Sequence, residues 1–222
     1  MSCIVVPNSA SDSILDARVV ALMQTQLATL TWLDACYGIA QVAEMKKDDG
    51  SIERFPRTCA NLSGVVKEYK DVRYDDSLKA QIFFERDGEI LFGQNDEYDE
   101  TTYPLSIVCW ANLNRIDNTN PFDFTERLAG AVIKLLRDNF RYNISDALQV
   151  ELRAENVYSK YTMSDVDNRF ITLPYTAFRI SFTYTEFNSG ACYDYDGNDY
   201  IMNENNCDNL TDQNLNPITN ES

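Results

Sequence analysis

"TTYPLSIVCWANLNRID", residues 101–117, reads as a strand whose two faces carry different chemistry. Strand side chains alternate, so Leu105, Ile107, Cys109, Ala111 and Leu113 form one apolar face. The opposite face runs Ser106, Val108, Trp110, Asn112, Asn114, half apolar and half polar. A solvated face has no use for Trp110, and a core face has no use for two asparagines. What covers that second face decides the architecture.

On its N-terminal side lies "GQNDEYDETT", an acidic loop, preceded by "QIFFERDGEILF". There, two short apolar runs flank Asp87-Gly88, the pattern of a hairpin turn. "GVVKEYKDVRY" alternates moderately, and "KKDDGSIERFPRT" turns the chain. On the C-terminal side, residues 118–123 form a turn and "FTERLAGAVIKLLRDNF" a helix, with Phe124, Leu128, Ala131, Leu135 and Phe140 near one side. "LQVELRAENV" alternates as a strand. "ITLPYTAFRISFTYTEF" is the longest strand expected, with Phe178, Ile180, Phe182 and Tyr184 inward and Ala177, Arg179, Ser181, Thr183 and Thr185 outward.

Near the N-terminus, Ser13-Ile14-Leu15-Asp16 has the form of a capping box with a shortened acid. "ILDARVVALMQTQLATLTWLDACYG" then predicts a helix to Gly38, about 37 Å long at 1.5 Å per residue. Leu15, Val19, Leu22, Leu30, Leu33 and Tyr37 make one stripe, and Ala21, Ala28, Trp32 and Ala35 a second. A helix this apolar around its circumference is buried on more than one side.

The totals narrow the function. With 222 residues, 44% hydrophobic and 12% aromatic, the chain can bury a real core. Its 35 acids against 19 bases give a net charge of −16, which repels a DNA backbone and disfavours phosphate-tracking nucleic-acid binding. There is no histidine, which removes His triads, His bases and imidazole metal ligands together. Cys3, Cys36, Cys59, Cys109, Cys192 and Cys207 form no CxxC and read as reduced, structural thiols. The N-terminus lacks a basic signal-peptide region, and no apolar stretch approaches the roughly 20 residues of a membrane span. Synthesis and assembly in a cytoplasm are expected.

Other motifs weigh little. The glycines form no GxGxxG or GxxxxGK[ST] cradle. Asp48/Asp49, Asp75/Asp76 and Asp96/Glu97 sit in hydrophilic stretches without the apolar shielding that catalytic acids need. "DYDGNDYIMNEN" resembles a calcium loop, but Gly197 comes one place early and Asn205 stands where a bidentate Glu belongs. The four Asn-x-Ser/Thr sites carry no glycan in a cytoplasmic protein. No enzyme activity, cofactor or metal is expected. From Asn188 to Ser222 the chain holds nine Asn, seven acids and no base, and reads as an extended arm or disordered tail. The organisation expected is an N-terminal arm over 1–12, an α+β domain over 13–187 and an acidic C-terminal arm over 188–222. The tyrosine and phenylalanine surplus, 13 and 11 residues, suits protein–protein contact.

"LTWLDACYGIA", "YPLSIVCWANLNRID" and "LPYTAFRISFTY", in that order around a central helix, resemble phage neck and tail structural proteins of the tail-terminator type. The likeness spans about residues 14–187 and is strongest to ring proteins of crAss-like phages. It implies an α+β fold, a mostly antiparallel sheet of four or five strands with two flanking helices. It also implies a six- or twelve-fold ring around the DNA channel, joining portal or connector to tail, without catalytic residues. The partners implied are further copies of the chain and neighbouring neck or tail proteins, with DNA passing unbound and no membrane involved; the location implied is the virion. Within the three stretches, Trp32, Tyr37, Trp110, Asn112, Tyr175 and Arg179 are the subunit-interface candidates. In a ring, Trp110 would face a neighbour or lie under a long arm, with asparagines at its rim. The alternatives are an acidic DNA mimic that inhibits a host DNA-binding protein, and a soluble enzyme or ligand-binding module with an unrecognised site.

Overall fold

A computed structural model describes residues 3–6, 15–60, 68–94, 99–120, 122–145, 147–162 and 173–188. In chain order the elements are β1 (Ile4–Val6), α1 (Leu15–Leu27), β2 (Ala35–Lys46), β3 (Ile52–Ala60), β4 (Glu68–Asp71), β5 (Ala80–Arg86), β6 (Leu91–Gln94), β7 (Asp99–Asn112), α2 (Leu113–Ile116), α3 (Thr125–Phe140), β8 (Gln149–Glu151), α4 (Ala154–Val157) and β9 (Tyr175–Asn188). The fold is α+β, as expected, but its sheet has nine strands rather than four or five. Strand order is β4-β3-β2-β5-β7-β9-β8, with β1 on β2 and β6 on β7. The pairings β1–β2 and β2–β5 are parallel; β2–β3, β3–β4, β5–β7, β6–β7 and β8–β9 are antiparallel.

The chain forms two compact units, one holding residues up to Ile90 together with Tyr103–Tyr184, the other Leu91–Thr102 and the chain from Thr185 onward. In the first, the alternation read from residues 101–117 holds as far as Asn112, after which Leu113–Ile116 is helical instead of continuing the strand. Leu105, Ile107, Cys109 and Ala111 join Ile82 and Phe84 of β5 and Phe178, Ile180 and Phe182 of β9 in one core. Helices α1 and α3 close it with Val19, Val20, Met23 and Leu27, and with Leu128, Ala129, Val132 and Leu136. The α3 stripe is therefore turned slightly from the expected one, and Ala131 and Leu135 flank it. In the second unit, β6 pairs with Asp99–Thr102, and the Thr102 and Thr185 hydroxyls lie 3.4 Å apart. Leu91 and Phe92 are 60% and 72% exposed.

Several local expectations change. The first helix stops at Leu27, and residues 28–34 turn through bonds such as Thr29 Oγ1 to the Gln26 carbonyl (2.7 Å). Ala35 then opens a strand, so Gly38 lies inside β2 instead of ending a helix. The reason is burial on both faces: Ala35, Cys36 and Tyr37 are all buried, which erases the period-two signal and leaves an apolar run that reads equally as helix. "KKDDGS" does turn, with Gly50 at φ 84°, but "IERFPRT" belongs to β3. Asp87-Gly88 makes no hairpin, because β5 pairs with Leu105–Ala111 of β7 and β6 with Asp99–Thr102 of the same strand. The strand expected over 148–157 stops at Glu151, and Ala154–Val157 is helical. In the N-terminal arm, Ile4–Val6 is a strand on β2. Ser13 and Ile14 of the capping box, the calcium-like loop and the acidic arm beyond Asn188 lie outside the described residues.

Candidate functional site

The second face of the sheet divides along its length into a charged part and an aromatic part. At the charged end, Glu85 of β5 and Ser106 of β7 are direct cross-strand partners, and Arg179 and Ser181 of β9 point to the same face. The segment after α4 brings Lys160 and Tyr161 over them. Glu85 is 2% exposed; its Oε2 accepts from Arg179 Nη2 at 2.5 Å and Lys160 Nζ at 2.8 Å, and its Oε1 from the Tyr161 hydroxyl. Asp87 Oδ1 accepts from Arg179 Nη1 (2.9 Å) and Lys160 Nζ (2.8 Å), while its Oδ2 accepts from Ser106 and, at 3.2 Å, Ser181. All four carboxylate oxygens are engaged, and two acids balance two bases.

That balance is what lets the charges sit under protein. Burying either sign alone costs several kcal/mol, and only paired, hydrogen-bonded geometry offsets it. Burial pushes the Asp87 carboxyl up, yet hydrogen bonds from Lys160 and Ser106 and the nearby cations outweigh it, so its pKa falls below the ordinary value. Burial pulls Lys160 down and its two carboxylate partners more than reverse that, leaving it raised. Burial, then the Glu85 charge, pushes the Tyr161 phenol far up, so it stays a donor. The arrangement has no idle acid or base poised for proton transfer. It braces β5, β7 and β9 to the segment after α4.

The aromatic part is centred on Trp110, which is 4% exposed. Its ring packs on Phe83 (5.6 Å between centroids), Tyr158 (5.8 Å) and Tyr74 (6.3 Å), with Val72, Val108 and Val157 in the same cluster. What covers the second face is thus the chain itself: residues 72–74 after β4 and residues 157–161 from the last residue of α4 onward. Trp110 is core here, packed under its own chain, and also forms part of the lining of an adjoining cleft. Asn112 caps α2 by accepting from the Arg115 amide, and its Nδ2 donates to Asp76 (2.9 Å), which also accepts from the Tyr175 hydroxyl (3.1 Å). Tyr37 is buried in the same cluster, with Lys70 Nζ over its ring at 5.2 Å.

Five of the six candidates, Tyr37, Trp110, Asn112, Tyr175 and Arg179, therefore belong to this one face. Trp32 stands apart, half-buried beside a groove also lined by Leu30, Lys79, Phe124 and Arg127. Sequence reasoning missed Glu85, Asp87, Lys160 and Tyr161. A signal existed for one of them: Glu85 directly follows the apolar run Ile82-Phe83-Phe84, and its charge is opposite to that of Arg179, which lies between Phe178 and Ile180.

Beside Trp110 a cleft of about 170 Å³ opens between β3, residues 72–74 and residues 161–162. Phe55, Val72, Trp110 and Tyr161 line its depth; Arg54 and Arg73 stand among its walls. Arg73 donates to the buried Glu53 at 2.5 Å and lies over the Phe55 ring at 4.4 Å, while Arg54 pairs with Glu44 at 2.9 Å. Reciprocal bonds tie β3 to the opposite wall, Arg54 N to Thr162 Oγ1 (2.9 Å) and Thr162 N to the Arg54 carbonyl (3.0 Å). Among the described residues no group of three or more Cys, Asp or Glu side chains is placed to hold a metal ion, and no helix is long and apolar enough to cross a membrane. No protein-family model matches this chain, and a search of curated proteins returns no relative.

Proposed function

We propose that this chain is a structural virion protein that forms a six- or twelve-fold ring in a phage neck or tail, joining portal or connector to tail around the DNA channel. The observation that carries the reading is a subunit with both sheet faces largely covered by its own chain that still exposes apolar side chains, Leu91 and Phe92 on the short β6 and Met45 and Ile52 where β2 and β3 meet their turn. Such residues are surface for neighbours, and cyclic closure satisfies them without open fibres. The three stretches that resemble ring proteins contribute to β2, β7 and β9 of one sheet, which agrees with that use. A net charge of −16 suits a channel through which DNA slides without being gripped.

Mass spectrometry of purified virions should find the chain, and electron microscopy should place it as a ring on the axis between capsid and tail. With a 25.4 kDa subunit, a dodecamer weighs about 300 kDa and a hexamer about half that. Moderate salt should promote self-association by screening the shared negative charge. A chain absent from virions and recovered only as a monomer on a host DNA-binding protein would replace the ring with the acidic mimic.

A further inference from the structure

We propose that the β6–β7 hairpin of one copy docks into the arginine-walled cleft of the next, with the Phe92 ring seated against Trp110. The inference rests on the ring reading and names its subunit contact. The two surfaces differ on one chain and complement each other. On the paired strands, Phe92 is 72% exposed, and Asp99 and Glu100 stand on the facing strand opposite Gln94 and Gly93. In the cleft, the side chains of Arg54 and Arg73 are 56% and 47% exposed above an aromatic floor. Aromatic anchors ringed by arginine are the usual composition of an interface centre.

Size agrees. A cavity of about 150 Å³ accepts one benzene ring, and the cleft measures about 170 Å³. Arg54 spends one N–H on Glu44 and Arg73 one on Glu53, with Asp71 Oδ2 a further 3.8 Å from the Arg73 Nε, which leaves donors on both guanidinium groups for incoming acids. Hairpin against hairpin would instead set Asp99 and Glu100 against their own copies. The contact is heterologous, hairpin to cleft, and this is the kind of interface that closes into a ring when the rotation allows.

The test uses the full chain with Phe92 replaced by the photo-crosslinker p-benzoylphenylalanine, mixed with isotope-labelled copies and irradiated at high concentration in moderate salt. Interchain cross-links should map to peptides carrying residues 53–56, 72–74, 110 or 161–162. Phe92→Ala and Arg54→Glu should each weaken self-association about tenfold or more with an unchanged melting temperature. Mixed together, these two variants should form dimers through the one remaining intact hairpin and cleft, and nothing larger. Assemblies whose cross-links from position 92 map elsewhere overturn the docking and leave the ring standing. A chain that stays monomeric in concentrated solution and is missing from virions overturns both.

Discussion

Glu85 and Arg179 lie 94 residues apart in sequence and meet under protein on the second face of the sheet. Removing one partner strands the other charge. Glu85→Gln should therefore cost about 3–5 kcal/mol in urea denaturation. The double variant Glu85→Met/Arg179→Met leaves Asp87 and Lys160 balanced and should cost clearly less than the two single changes summed; additive losses would show that the four groups are not one network. Asp87 gives the pair a pH signature. Its folded pKa lies below the unfolded value of about 3.9, so its contribution is present above that pH and is lost as pH falls through the folded value. Asp87→Asn should flatten the acid limb of stability below about pH 4 and leave neutral-pH curves parallel. Trp110→Ala empties the middle of the aromatic cluster and should cost about 3–5 kcal/mol, read as a lower unfolding midpoint of the isolated chain. An unchanged midpoint would mean that the ring is not packed as described.

At the scale of elements, α1 does more than cover the first core. Gln24, 1% exposed, points from the helix to the sheet and donates Nε2 to the carbonyls of Val6 and Cys36, each at 3.0 Å. One side chain thus ties β1 and β2 together beneath the helix. Gln24→Leu matches its bulk but strips both carbonyls of that donor, and should cost about 1–3 kcal/mol. Hydrogen exchange should show the loss first in Ile4–Val6, because a three-residue strand has little else to hold it. Protection there equal to wild type would mean that β1 is held by its parallel pairing alone.

At the scale of the whole molecule, the described residues of both core clusters fall between Cys3 and Tyr184. Truncation after Phe187 should accordingly leave the melting transition nearly intact; a loss of several kcal/mol would place the acidic arm within the core. Assembly is the separate readout, and a truncated chain that melts normally yet fails to enter virions would locate the arm's role outside folding.

The sequence by itself determined what local alternation can encode: the apolar faces of β7 and β9, the span of α3, and an α+β class. It also placed Tyr37, Trp110, Asn112, Tyr175 and Arg179 in stretches that do share one face. Tertiary structure decided the rest. Whether residues 35–38 become helix or strand turned on β1 and β5, since a segment buried on both sides shows no period of its own. Asp87-Gly88 has the chemistry of a hairpin turn, yet β7 is long enough to pair with both β5 and β6, so the hairpin forms one strand later. The half-polar face that looked open to a neighbour is closed by residues 72–74 and 157–161, whose composition shows only a loop and a tyrosine-rich stretch. Pairing partners 70 to 100 residues away leave no local trace. Charge balance under a cover is a property of the assembled face, and only the folded chain brings Glu85, Asp87, Lys160 and Arg179 together to express it.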